Sequence, residues 1–71
     1  MTAKINVSKV MGIVVEALPS ALFRVKLSNE EILLSYLSGK MRMNRIKVLV
    51  GDKVELEVDQ YGGRGRIVRR F

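Results

Sequence analysis

The sequence contains no cysteine and no histidine. A disulfide framework and a Cys/His zinc site, the two usual staples of a domain this small, are therefore excluded. So are imidazole and thiol groups for general-base or nucleophilic work. Tryptophan is absent too, and the aromatics are limited to Phe23, Tyr36, Tyr61 and Phe71. A core must then be built from Val, Ile, Leu and Met, and 71 residues allow one small core in one domain. Long apolar runs are missing. Nothing approaches the ~18 apolar residues that span a bilayer, and the N-terminus lacks the apolar stretch of a signal peptide. The expected setting is the cytoplasm or the interior of an organelle, with no membrane partner.

Acidic residues are scarce: 7 against 13 basic ones, a net charge of +6. That balance favours a polyanionic partner such as nucleic acid. The distribution is more informative than the total. Residues 1–38 carry four basic and three acidic groups. Residues 39–50 carry Lys40, Arg42, Arg45 and Lys47 with no acid, residues 51–59 carry Asp52, Glu55, Glu57 and Asp59 against Lys53, and residues 60–71 carry Arg64, Arg66, Arg69 and Arg70 unopposed. Two basic blocks thus flank an acidic segment. No repeat, low-complexity tract or linker composition is present, so 1–71 reads as one domain, with a flexible N-terminus over about 1–6 and a basic tail over about 69–71.

Periodicity predicts an all-β chain. Residues 10–18 are rich in β-branched side chains and stop at Pro19-Ser20, a turn signal. Residues 22–27 place Phe23, Val25 and Leu27 on one face and Arg24 and Lys26 on the other, and 28–30 close a hairpin. Residues 53–58 alternate strictly, with Val54, Leu56 and Val58 inward and Lys53, Glu55 and Glu57 toward water. Residues 31–37 fit either a helix capped by Asn29 or a strand; the strand is preferred because the segment follows a hairpin turn and can pair with 22–27. Residues 39–44 predict one short helical turn, 61–65 a flexible loop, and 66–68 a short last strand. Three strands, a helical turn and two strands are the order of a five-stranded OB-fold Greek-key barrel, whose closure removes exposed edges. Gly12 falls where the first strand of such a barrel must bend, although an ordinary strand also tolerates a glycine.

Catalysis finds no support. Ser20, Ser28, Ser35 and Ser38 lack an activating partner at readable spacing, and the dense carboxylates read as a solvated strand face rather than a metal site. The Gly62-Gly63-Arg64-Gly65 loop is not a phosphate-binding P-loop, since no Gly-Lys-Ser/Thr follows. No enzyme activity, cofactor or metal is expected. The candidate site is the block from Gly39 to Lys47, where four cations cluster without a counter-charge. Arg64, Arg66, Arg69 and Arg70 form a second cationic group. Met41 and Met43 read as packing residues. With so few aromatics, base stacking cannot dominate, so phosphate pairing and recognition of a folded RNA shape fit better than reading a single strand.

The pieces Leu18-Pro19, Phe23-Arg24-Val25, Ser38-Gly39-Lys40-Met41-Arg42, Gly51-Asp52-Lys53-Val54 and Gly65-Arg66-Ile67-Val68, in this order, resemble bacterial and plastid translation initiation factor 1. The resemblance implies an OB-fold factor that occupies the aminoacyl site of the small ribosomal subunit, bound to 16S-type ribosomal RNA beside a neighbouring ribosomal protein. It implies a monomer that blocks premature tRNA entry and assists initiation factors 2 and 3, in the cytoplasm or, in an organelle, the plastid stroma. RNA contacts carry over to Lys40, Met41, Arg42, Lys47, Arg64 and Arg66. Arg45 joins them from the cation block. The sequence departs from the family pattern at Glu30 of the hairpin turn, at Met43, at Arg45 and at Gly62. The competing readings are a cold-shock-type single-stranded RNA chaperone, which the missing aromatic stripe disfavours, and a small protein adaptor.

Overall fold

A computed structural model describes residues 7–59 and 63–71. The expected flexible N-terminus, and Tyr61 and Gly62 of the expected loop, lie outside the described residues. The elements are β1 (Val7–Leu18), a 3-10 turn (Pro19–Ala21), β2 (Leu22–Leu27), β3 (Ile32–Leu37), α1 (Gly39–Met43), β4 (Lys53–Asp59) and β5 (Gly65–Arg70). They close a barrel in the order β1-β2-β3-β5-β4. The pairings are antiparallel except that of β3 with β5, which is parallel. This is the five-stranded barrel with one helical turn between the third and fourth strands that the patterning predicts, and the segment after the hairpin is a strand, not a helix.

Two strands are longer than their side chains announce. β1 begins at Val7, before the β-branched run, because its first half pairs with β4 from Val7↔Asp59 to Ile13↔Lys53. β5 continues to Arg70, so Arg69 and Arg70 are not a tail. They pair with Glu55 and Val54 of β4, and main-chain pairing extends a strand that has no further apolar signal.

The core lies inside the barrel. Val14, Phe23, Val25, Val54, Leu56 and Ile67 are buried, as the period-2 alternation requires, and Met41 and Val48 join them from the connection between β3 and β4. Leu27 and Leu37 pack at the margin. Val58 is half-buried, and so are Glu55 and Glu57, which the alternation assigns wholly to water. Gly12 pairs on both sides of β1, with Leu27 and with Val54. A Cβ at Gly12 would lie 2.5 Å from Val25 Cγ1 and 2.9 Å from the Lys26 carbonyl oxygen. The close approach of β2 leaves no room for a side chain there, so this glycine is required rather than tolerated.

The β2–β3 hairpin turns through Ser28, Asn29 and Glu30. The Glu30 N–H donates to the Leu27 carbonyl (3.0 Å), the Leu27 N–H donates to the Glu31 carbonyl (2.8 Å), and Glu30 has φ +74°. This is a three-residue loop whose last position is left-handed, the place where glycine is favoured. The Asn29 carboxamide steadies it by accepting from the Glu31 N–H at 3.1 Å. Glu30 also lies 3.1 Å from Lys26 Nζ, but so exposed a pair is worth at most ~1 kcal/mol, against ~1–2 kcal/mol for a side chain in the left-handed region. Glu30→Gly is expected to stabilise the fold by about 0.5 kcal/mol. A lower denaturant midpoint than the parent's would contradict that reading of the turn.

Candidate nucleic-acid interface

The cation block owes its shape to the two ends of α1. At the first end Ser38, buried at the close of β3, caps the helix: its Oγ accepts from the Met41 N–H at 3.3 Å, and its own N–H donates to the Ile67 carbonyl of β5 at 2.9 Å. The helix is thereby fixed to the barrel wall. The cap sets its rotation so that Met41, 2% exposed, enters the core. At the other end the Ile46 N–H donates to the Met41 carbonyl (3.0 Å), the Arg45 N–H donates to the Arg42 carbonyl (3.1 Å), and Arg45 has φ +55°. That is a Schellman closure with arginine in the left-handed position usually given to glycine. Five residues are too few for a stable helix alone, so cap, closure and Met41 together hold it.

The consequence is a set of rigidly mounted cations. Lys40, Arg42, Arg45 and Lys47 are all exposed. Among the described residues, none of them lies within ion-pair distance of a carboxylate; the ion pairs are Arg24 with Glu16, Lys26 with Glu30, Arg66 with Glu57 at 3.8 Å, and Arg70 with Asp52 at 3.9 Å. Helix and closure point several uncompensated cations into water from one short segment, an arrangement suited to successive phosphates.

Not every expected contact residue belongs to this group. Met41 is corrected: a side chain buried in the core is an anchor for the helix, not a surface offered to RNA. Met43, expected to pack, is 84% exposed. Arg64 and Arg66 are exposed and lie at the start of β5 rather than on α1 or its closure. Ile67 is the level at which Ser38 attaches, so Arg66 stands one residue before that level and Arg64 three, roughly 3 Å and 10 Å at strand rise. Arg66 stands beside Tyr36 in the β3–β5 register, with Glu57 partly offsetting its charge. The site is thus a four-cation block on α1 and its closure, with Arg64 and Arg66 contributed from the start of β5. From sequence Ser38 stands out only as part of the Ser-Gly-Lys-Met-Arg motif, although a serine just before a helical turn is also an N-cap signal, and Arg70 reads only as a cation of the second group and the tail.

The left-handed Arg45 gives a direct test of whether this residue serves the fold or a ligand. Arg45→Gly is expected to raise stability by about 0.5–1 kcal/mol, by relieving the left-handed backbone, while weakening RNA binding several-fold through loss of a cation. If stability and binding both fall, the side chain is structural.

With this geometry in hand, comparison with known proteins is decisive. A family model described as translation initiation factor 1A / IF-1 matches residues 2–71. The chain belongs to that family. It is a family of non-enzymatic initiation factors, in agreement with the absence of catalytic groups noted from the sequence. Two chloroplastic translation initiation factors IF-1, from Oryza sativa subsp. indica and Oryza nivara, are each 50% identical over 61 residues, which is 84% of this chain and 57% of theirs. The chain thus spans little more than half the length of these relatives. The solution structure of the bacterial translation initiation factor 1 from the wolbachia endosymbiont strain TRS of Brugia malayi superposes with a TM-score of 0.79 at 39% identity, covering 93% of this chain and 79% of that one. The barrel also resembles part of YjeQ from Thermotoga maritima (TM-score 0.74, 32% identity), over 90% of this chain but only 23% of that protein.

Proposed function

We propose that this protein binds the small ribosomal subunit at its aminoacyl site through ribosomal RNA, beside a neighbouring ribosomal protein. There it acts by occupancy, blocking premature tRNA entry and assisting initiation factors 2 and 3. Family membership supports the ribosomal setting. The observation that carries the RNA contact is the block of Lys40, Arg42, Arg45 and Lys47, exposed on a capped helix and its closure with no carboxylate partner among the described residues. Arg64 and Arg66 supply the outlying contacts. The compartment is the cytoplasm or the plastid stroma, the latter favoured by the chloroplastic relatives. A free single-stranded RNA chaperone is the poorer reading: it stacks bases on several aromatics, and the exposed aromatics among the described residues are Tyr36 and Phe71, on β3 and after β5.

Salt tests the proposal. Each phosphate neutralised adds about 0.7–0.9 to the slope of log affinity against log salt. Six candidate cations, not all fully engaged, give an expected slope magnitude of roughly 2–5 for binding to purified small subunits, and Arg64→Ala is expected to lower it by about one. A flat dependence up to physiological salt would remove the phosphate reading and raise that of a protein adaptor.

A further inference from the structure

Arg70 carries a positive charge in a basic protein, yet its surroundings differ from those of the free cations. Its Nη1 donates to the main-chain carbonyl of Lys47 at 2.8 Å and lies 3.9 Å from Asp52 Oδ2. The same Asp52 oxygen accepts from the Leu49 N–H at 2.8 Å. The last strand is thereby tied to the connection between α1 and β4 at two points, Lys47 directly and Leu49 through the carboxylate. The base of that connection is held independently: the Gly51 N–H donates to the Val14 carbonyl (2.8 Å) and the Val14 N–H to the Asp52 carbonyl (3.0 Å). Between this base and the helix closure at Ile46 lie Lys47 and the segment that carries it. Its fixed side-chain points are buried Val48 and the Arg70–Asp52 pair.

We infer that Arg70 and Asp52 are positioning residues: they form a strut that holds Lys47 in the orientation in which it meets RNA, and Arg70 is not itself a phosphate contact. The inference rests on the proposed RNA contact of Lys47. Alone, an exposed ion pair at this separation is worth little. A charge-assisted bond to a carbonyl, buttressed by a carboxylate that also restrains the next turn, is a network whose members act together. Asp52 makes the distinction sharp. As a bare negative charge beside an RNA surface it would oppose binding, so its neutralisation would tighten the complex; as part of a strut its neutralisation loosens it.

The test combines amide hydrogen exchange in the free protein with small-subunit binding for Arg70→Met, Asp52→Asn, Lys47→Ala and the double variant Lys47→Ala/Arg70→Met. Exchange at the Leu49 amide is expected to accelerate in Arg70→Met, and less in Asp52→Asn, whose carboxamide oxygen still accepts from that N–H, with the barrel amides unchanged. Binding is expected to weaken about five-fold in each, and Arg70→Met is expected to add nothing once Lys47 is alanine. Arg70→Lys, which keeps the charge but not the planar fork, is expected to recover only part of the loss. Tighter binding by Asp52→Asn, or an Arg70→Met effect that persists in the Lys47→Ala background with the salt slope lowered by about one, would make Arg70 an ordinary phosphate contact and overturn the strut. Unchanged exchange at Leu49 in Arg70→Met would overturn it without reference to RNA. If Lys47→Ala binds like the parent, the contact on which the inference rests is removed, and that outcome is separable because the exchange result stands by itself.

Discussion

Replacing Lys40, Arg42 and Lys47 together by alanine is expected to weaken binding to purified small ribosomal subunits by at least ~100-fold, or about 3 kcal/mol. Each charge-assisted contact is worth roughly 1.5–3 kcal/mol, so three would sum to about 4.5 kcal/mol or more, and the smaller expected loss allows for neighbours that do not add. Folding is expected to hold. The three side chains are exposed and have no ion-pair partner among the described residues; alanine is a good helix former at positions 40 and 42, and at position 47 the main-chain carbonyl that accepts from Arg70 is retained. The unfolding free energy should therefore move by no more than about 0.5 kcal/mol. Co-sedimentation and thermal unfolding of one preparation decide the matter. A triple variant that binds within a few-fold of the parent would show that the ribosomal contact lies elsewhere on the barrel.

The second large effect is purely structural. Gly12→Ala is expected to destabilise the fold by about 3 kcal/mol, the upper range for forcing an atom into a packed interior. One of the two atoms its Cβ would meet most closely is the Lys26 carbonyl oxygen, at 2.9 Å, which cannot rotate away. Gly65 makes a useful comparison. Its Cβ would meet the side chains of Leu33, Ser35 and Leu56 at 2.7, 2.8 and 3.0 Å, and side-chain ends can shift, so alanine there should cost less. Gly39, within the Ser-Gly-Lys-Met-Arg motif, has nothing within 4 Å of a built Cβ, and Gly39→Ala should be close to neutral. Denaturant midpoints in the order Gly39→Ala, Gly65→Ala, Gly12→Ala, from most to least stable, are the expected result. A Gly12→Ala protein as stable as the parent would mean that β2 does not approach β1 this closely at Gly12.

These contrasts show what the sequence disclosed and what it withheld. Strands with clean alternation, 22–27 and 53–58, were legible because burial on one face leaves a period-2 record. Gly12 is legible as a candidate for a special position, but only the distance to Lys26 settles its role. Met41 and Met43 were indistinguishable: five residues carry too little periodicity to tell an inner from an outer face, and the choice is made by Ser38, whose cap sets the rotation of the helix. Ser35 is fully buried, which a polar residue type does not announce. It is accommodated because its Oγ donates to the Leu33 carbonyl at 3.2 Å and its strand neighbour is Gly65. The extent of β5 was hidden for another reason. Arg69 and Arg70 are held in the sheet by β4, a partner more than ten residues away, and no local pattern encodes it.

The connection from Ser38 to Asp52, which mounts the cations, adds no strand to the barrel ladder. In polymer terms it is a closed loop whose ends are pinned, and the entropy of closing such a loop grows only with the logarithm of its length: doubling it costs about 0.6 kcal/mol. The strands must find partners far along the chain, residues 7–13 with 53–59, so the slow step of folding is the meeting of those distant segments, whatever hangs between them. Residues inserted beside exposed Leu49 and Val50 thus add little closure entropy provided Met41 and Val48 keep their places in the core, and their cost falls on the Arg70–Asp52 contacts that cross this connection. The closure term is small, and the packing of Met41 and Val48 sets how far the cation-bearing connection can change in length before the barrel interior responds.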